Sequence, residues 1–195
     1  MTKIQAWHFT AATLRDGRPI PADGVVLHHD GPLVMCESGL HWSRTPLAAL
    51  QYAPGPILCR VEVWGDIIED FDKGISRNRV ILWRLDATDL LREFARRCAL
   101  DVAHLWDAPG IVLNYLRTGD ESIRDAAWAA ARDAAWDAAR DAAWAAALAA
   151  ARAAAGDAAR AAAGDAAWAA ALAAQNKILL GLIEREREKM LESKP

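Results

Sequence analysis

The sequence lacks several features that would place it in a class at once. Its three cysteines are an odd number with no CxxC spacing, which makes neither a disulfide framework nor a paired-cysteine zinc site and suits a reducing cytoplasm. Basic and acidic residues nearly cancel, 23 against 26, so the positive excess of a sequence-independent nucleic-acid binder is missing. Arg and Asp interrupt every long apolar stretch, and no basic segment precedes an apolar one at the start; neither a membrane span nor a signal peptide is expected. There is no P-loop, no GxSxG and no HExxH. Bulky apolar side chains are scarce in the second part of the chain. The composition is 53% hydrophobic, but about a quarter of all residues are alanine, concentrated after Asp125. Alanine buries little area, so that stretch cannot supply a core of its own.

What is present before Asp86 reads as strand. Ile4–Thr10 and Gly24–His28 are short β-branched and aromatic runs bounded by turn formers, and Leu33–Cys36 and Leu40–Ser43 suggest two more strands around Glu37-Ser38-Gly39. Thr45-Pro46 has the form of an N-cap followed by proline at the first helical position, opening a short helix that Pro54-Gly55-Pro56 stops. Ile57–Trp64 alternates as a half-buried strand should, Asp66–Asp70 continues the sheet after Gly65, and Asn78–Leu85 is the last strong strand. From Asp86 the period turns helical. Leu90, Leu91, Phe94, Cys98, Val102 and Leu105 form an apolar face ending near Pro109, Ile111–Arg117 is a short helix closed by Gly119, and Ser122 with Asp125 resembles a capping box.

From Asp125 the chain runs in about twelve tetrads, DAAW AAAR DAAW DAAR and onward, whose fourth residue is Trp, Arg, Leu or Gly. Alanine makes this helix. A period of four overshoots the helical 3.6, so the marked position turns by about 40° per tetrad, and Trp128, Trp136, Trp144 and Trp168 cannot share one straight stripe. Either the helix breaks near Gly156-Asp157 or Gly164-Asp165, with glycine as C′ and Asp as N-cap, or these glycines are tolerated inside it. Arg at i,i+4 from Trp, as in Arg132/Trp136 and Arg140/Trp144, permits cation–π contact. The tract reads as a self-satisfied helical surface or as an oligomer interface. Beyond it, Ile178, Leu179, Leu182 and Ile183 form an apolar face expected to dock on the domain or on another subunit.

Candidate chemistry lies in the first part. His28-His29 and the Cys36–His41 pair match no usual metal spacing, and Cys59 and Cys98 fall on apolar faces as core residues. Arg44, Arg60, Lys73, Arg77, Arg79 and Arg84 are the basic residues near an expected cleft. Arg44 with Arg77 and Arg79 could clamp phosphate through bidentate guanidinium contacts, or be strand-edge charges paired with Glu69, Asp70 and Asp72.

Trp7-His8-Phe9-Thr10, then Ser38-Gly39-Leu40-His41-Trp42-Ser43 leading into a helix that ends Gln51-Tyr52-Ala53, followed by ILCRVEVWGDIIED, resembles ADP-ribosyltransferases of the poly-ADP-ribose polymerase and rifamycin-modifying type. The resemblance implies that His8 holds the nicotinamide ribose of NAD and that Tyr52 lies near the nicotinamide. Phe9 stands where that family has glycine, and no glutamate aligns with its acid, for which Glu62, Glu69 and Asp70 are candidates. Across nearly the whole chain, the AWxF start, CxSGLHxS, ILWRxDA, REFARRCALDVAHLWDAP and the Ala/Asp/Trp/Arg tetrads resemble a group of uncharacterised phage and high-GC bacterial proteins with repeat tails of different lengths.

The expected fold is α+β, a small antiparallel or mixed sheet domain over residues 1–118 (sheet 1–85, helices 86–118) followed by an alanine-rich helical tail over 119–195 with an amphipathic end. The expected function is a non-catalytic binding protein for an anionic, nucleotide-derived, ADP-ribose-like ligand, serving phage counter-defence by sequestration. His8, His41, Arg44, Tyr52, Arg77 and Arg79 would bind the ligand. One alternative is a mono-ADP-ribosyltransferase that uses NAD as substrate, with His8, Tyr52 and Glu62 as catalytic residues. The other is an interaction module acting through the tail. No metal or cofactor and no membrane partner is expected; a cytoplasmic homo-oligomer assembled through the tail is.

Overall fold

Alternating apolar residues and antiparallel pairing build one five-stranded sheet from the first 86 residues. The computed structural model describes residues 3–14, 17–134 and 157–193. Its strands are β1 (Ile4–Thr10), β2 (Val26–His28), β3 (Leu40–Trp42), β4 (Ile57–Glu69) and β5 (Gly74–Asp86), in the order β1-β4-β5-β2, with β3 also on β5. Every pairing is antiparallel. Short β2 and β3 share one edge of β5, opposite its residues 78–80 and 74–76. Helices follow the sheet, so the fold is α+β, as the sequence implies.

The register sorts side chains onto two faces. Ala6, Cys59, Val61, Val63, Ile81 and Trp42 form a buried cluster on one face, with Ile4, Ile20, Ile57 and Ile67 against it. The other face carries the row Trp7–Arg60–Trp83, directly opposed across β1, β4 and β5. Phe9 and Leu58, opposed in the same register, lie two residues along and are fully buried.

Two glycines are required by this packing. Gly74 is paired with Trp42, and a Cβ there would overlap the indole ring. Gly65 takes φ of 92° where the β4–β5 register shifts between Trp64 and Ile67. The sequence marks Gly65 as a division between two strand runs; in the fold it is a bulge inside one continuous strand, because glycine absorbs the extra residue without breaking the pairing. Leu33–Cys36, expected as a strand, is a turn instead. Val34 bonds through both N–H and C=O to Ser38, and Cys36 adopts φ of 68°. The nearby edge of β5 is already taken by β2 and β3, leaving a further strand nothing to pair with.

Thr45 caps α1 (Pro46–Leu50) as expected, its Oγ1 accepting from the Ala48 N–H. The chain divides into two units, Met1–Leu91 with Asn176–Pro195, and Arg92–Gln175. In the first, the end of the last helix joins the sheet: Leu179, Leu182 and Ile183 are fully buried, and Asn176 Oδ1 accepts from the Leu47 N–H at the start of α1. The apolar face read at 178–183 thus docks on the domain.

Helix α2 (Thr88–Asp101) and the last helix, α5 (Asp157–Glu192), both run across the division between the units. The second unit also holds α3 (Gly110–Thr118), closed by Gly119 at φ of 68° as expected, and the helical residues 124–134, here α4. The capping box expected at Ser122 is displaced: Asp120 accepts from the Ser122 N–H and caps a 3-10 turn over Glu121–Ile123. Helix α5 continues through Gly164, so no break occurs there; Gly156 lies outside the described residues. Trp128 and Trp168 are 69% and 68% exposed, and Arg132 stacks on Trp128, its Cζ 5.7 Å from the ring centroid. Trp136, Arg140 and Trp144 lie outside the described residues. Among the described residues no helix is long and apolar enough to cross a membrane.

Candidate functional site

A cleft of about 910 Å³ opens within the first unit between β1, the segment around β3 and the end of α1. Its volume lies within the range of small-molecule sites, roughly 300–1,000 Å³. Among the described residues, three of its lining side chains are cationic, Arg18, Lys73 and Arg79, against one carboxylate, the exposed Glu37. The cleft is therefore electropositive even though the chain as a whole is slightly acidic.

Arg79 defines the floor. It lies on β5 opposite Val63, on the face of the buried cluster, and is 4% exposed. Its Nη1 donates to the carbonyl oxygen of His41, while its buried Nε has no partner. Burial lowers its pKa to about 10, which still leaves the guanidinium charged at neutral pH. No carboxylate among the described residues pairs with it. A buried cation left without an anion is costly, and a site tolerates one where a ligand supplies the charge.

His8 sits beside this cation. It occupies the middle of β1 opposite Cys59, on the same face as Arg79, and is only partly accessible from the cleft. Burial, then the charge of Arg79, then His41, hold its pKa well below the ordinary histidine value, so its ring is neutral at pH 7. Burial likewise pushes the thiol of Cys59, a core residue behind His8, up to about 11, which leaves it inert. His41 lines the cleft from β3 and supplies the carbonyl that orients Arg79.

Tyr52 stands at the rim, 49% exposed. Its hydroxyl donates to Asp72 Oδ2 at 2.7 Å and Lys73 Nζ lies 4.9 Å from its ring centroid. The bond to Asp72 is the main reason its pKa is raised, which makes it a flat, neutral edge for the cleft.

The fold thus brings together His8, His41, Tyr52 and Arg79. It does not bring in the other three named residues. Arg44 forms a bidentate pair with Glu69, 2.6 and 2.7 Å, outside the cleft lining. Arg77 joins Asp66 at 3.0 Å and donates to the carbonyls of His29 and Gly31, which fastens the loop after β2. Glu62 projects from the opposite face of the sheet, where Lys3 holds it at 2.6 Å, so it cannot act with His8 and Tyr52.

Arg18 and the His29–Ser38 pair also line the cleft and were not singled out as binding residues in the sequence. Arg18 lies in a loop with no periodic signal. Ser38 gives its hydroxyl proton to the Pro32 carbonyl at 2.7 Å, so at 2.8 Å it accepts from His29 Nε2, and the pair is a loop brace and not an activated nucleophile. Among the described residues no group of three His, Cys, Asp or Glu side chains is arranged to hold a metal.

Residues 4–93 match the family model of a domain of unknown function (DUF7666). This stretch spans β1 to β5 and the start of α2, and with them every residue that lines the cleft. No curated protein and no solved structure matches the chain.

Proposed function

We propose that the chain binds an anionic, nucleotide-derived ligand of the ADP-ribose kind in this cleft and holds it without turning it over. The observation that carries the reading is Arg79, a buried guanidinium that lines the cleft with an unpartnered Nε and no acid of its own. A pyrophosphate would supply the missing acceptor, and Arg18 and Lys73 would extend the cationic wall along it. Neutral His8 would donate to or accept from a ribose hydroxyl, and the Tyr52 rim suits a planar base. Non-catalytic binding is favoured because Glu62 is held on the far face of the sheet by Lys3, leaving exposed Glu37 as the one carboxylate of the lining among the described residues.

The role that goes with this reading is sequestration of a nucleotide signal in phage–host conflict, in the cytoplasm, for which the resemblance to phage and high-GC bacterial proteins is the support. The tetrad tract would join copies of the chain, for which exposed Trp128 and Trp168 are the anchors on offer.

Calorimetric titration of the full chain with ADP-ribose, NAD and cyclic ADP-ribose tests the reading. Saturable binding to at least one of them, lost in Arg79→Met, is expected. No binding to any of them overturns it. Transfer of label from NAD to protein, abolished by His8→Ala, would replace it with the transferase alternative.

A further inference from the structure

The opposite face of the sheet carries a second cationic pocket, which shares only Trp7 with the lining of the cleft. It encloses about 400 Å³ between β1, β4, β5 and the C-terminal part of α5. Trp7, Arg60 and Trp83 form its sheet wall, and Glu184 and Arg187 of α5 stand across from them. Trp7 and Trp83 meet edge to face at 5.8 Å between ring centroids. Arg60 Cζ lies 4.5 Å from the Trp7 centroid, and Arg187 Cζ lies 5.3 Å from that of Trp83. Each guanidinium is thus held by an indole and aimed into one pocket.

Neither arginine is ion-paired among the described residues, although exposed Glu184 lines the same pocket. Arg60 Nη2 donates to the neutral Gln5 amide oxygen at 2.9 Å. The two cations also feel each other: burial, then the charge of Arg187, lowers the pKa of Arg60. Three other arginines of this unit are by contrast neutralised, Arg44 by Glu69, Arg77 by Asp66 and Arg84 by Asp23. Two like charges brought together on an aromatic wall, from segments more than a hundred residues apart, mark a place for an anion.

The geometry points to a phosphomonoester site formed by Arg60 and Arg187 over Trp7 and Trp83. The choice of phosphate follows from donor count. A carboxylate brings a single charge to two guanidinium groups, whereas a phosphomonoester brings three terminal oxygens and close to two charges, which match both arginines. The exposed edge of Leu82 gives the organic part of the ester an apolar neighbour.

Titration of the full chain with phenyl phosphate and with inorganic phosphate at low ionic strength, followed by calorimetry and tryptophan fluorescence, tests this site. Saturable binding of phenyl phosphate is expected, weakened at least tenfold in Arg187→Gln, a substitution at an exposed helix position that leaves the fold intact. Arg60→Lys, which keeps the charge but loses the fork, should weaken it as well, and Arg44→Gln, at a position that lines neither the cleft nor this pocket, should leave it unchanged. Absence of saturable binding overturns the site, as does an Arg187→Gln protein that binds like the wild type. Binding lost in Arg79→Met but kept in Arg187→Gln would assign the phosphate to the cleft and overturn this site alone. Equal affinity for benzoate would overturn the choice of phosphate.

Discussion

Arg79 donates to the carbonyl oxygen of His41, and this bond turns its guanidinium into the cleft with Nε unsatisfied. A positive charge is thus held in place by a neutral group, and its neutralisation is left to whatever enters.

The first expectation concerns stability against binding. Arg79→Met replaces a buried, unpaired cation with an apolar side chain of similar length. It should raise stability by about 1–2 kcal/mol while abolishing binding of anions in the cleft. Thermal unfolding and calorimetry on the same variant measure both. A destabilised Arg79→Met would mean that the bond to His41 outweighs the burial of the charge.

His8 makes stability depend on pH. Its folded pKa lies well below the unfolded value of 6.5, so the unfolded chain binds the extra proton as pH falls below 6.5. Stability is therefore fully present above that value and declines toward the folded pKa, by no more than about 2 kcal/mol between pH 6.5 and 5. Urea midpoints for the wild type should fall over this window, and His8→Asn should flatten the profile. A bound anion would favour the protonated ring, so cleft affinity should rise on mild acidification.

Two of the cysteines should separate by reactivity. Cys36 is exposed at the cleft, whereas Cys59 is fully buried with its thiol pushed up to about 11. Alkylation of the native chain at pH 8 should modify Cys36 rapidly and Cys59 only after unfolding, as peptide mass mapping would record. Slower labelling of Cys36 in the presence of ADP-ribose would place that ligand in the cleft.

Docking of the C-terminal segment predicts a core-like response far along the chain. Ile183 is 1% exposed, and Ile183→Ala should cost about 2–5 kcal/mol. Leu191, 56% exposed on the same helix, should change stability by less than about 0.5 kcal/mol when made alanine. Chemical denaturation of the two variants provides the comparison.

The strands β1, β4 and β5 and the cap at Thr45 were legible because their signals are local: alternation, proline at the first helical turn, glycine after the last. The turn at Cys36 was not, because β-rich composition cannot reveal that the sheet edge beside it is already occupied. The cleft was half legible. His8, His41 and Tyr52 stood out by type and order. Arg77 and Arg79 are two residues apart on one strand and carry the same signal, but only Arg79 lies beneath β3, whereas Arg77 reaches Asp66 at the end of the sheet. Which arginine is covered depends on how segments distant in sequence come together. Arg187 in the second pocket was invisible for the same reason, as one charge in an alternating Glu/Arg run.

The joining of Asn176–Pro195 to Met1–Leu91 also sets an order of events during synthesis. The strands emerge first, and the helix that faces the tryptophan row follows only after residues 92–175. Translating those 84 residues takes roughly 4–17 s at 5–20 residues per second. For that interval the nascent sheet presents a bare aromatic face, and each added tetrad lengthens the wait. The repeat number thus sets how long the sheet waits for the helix that completes it.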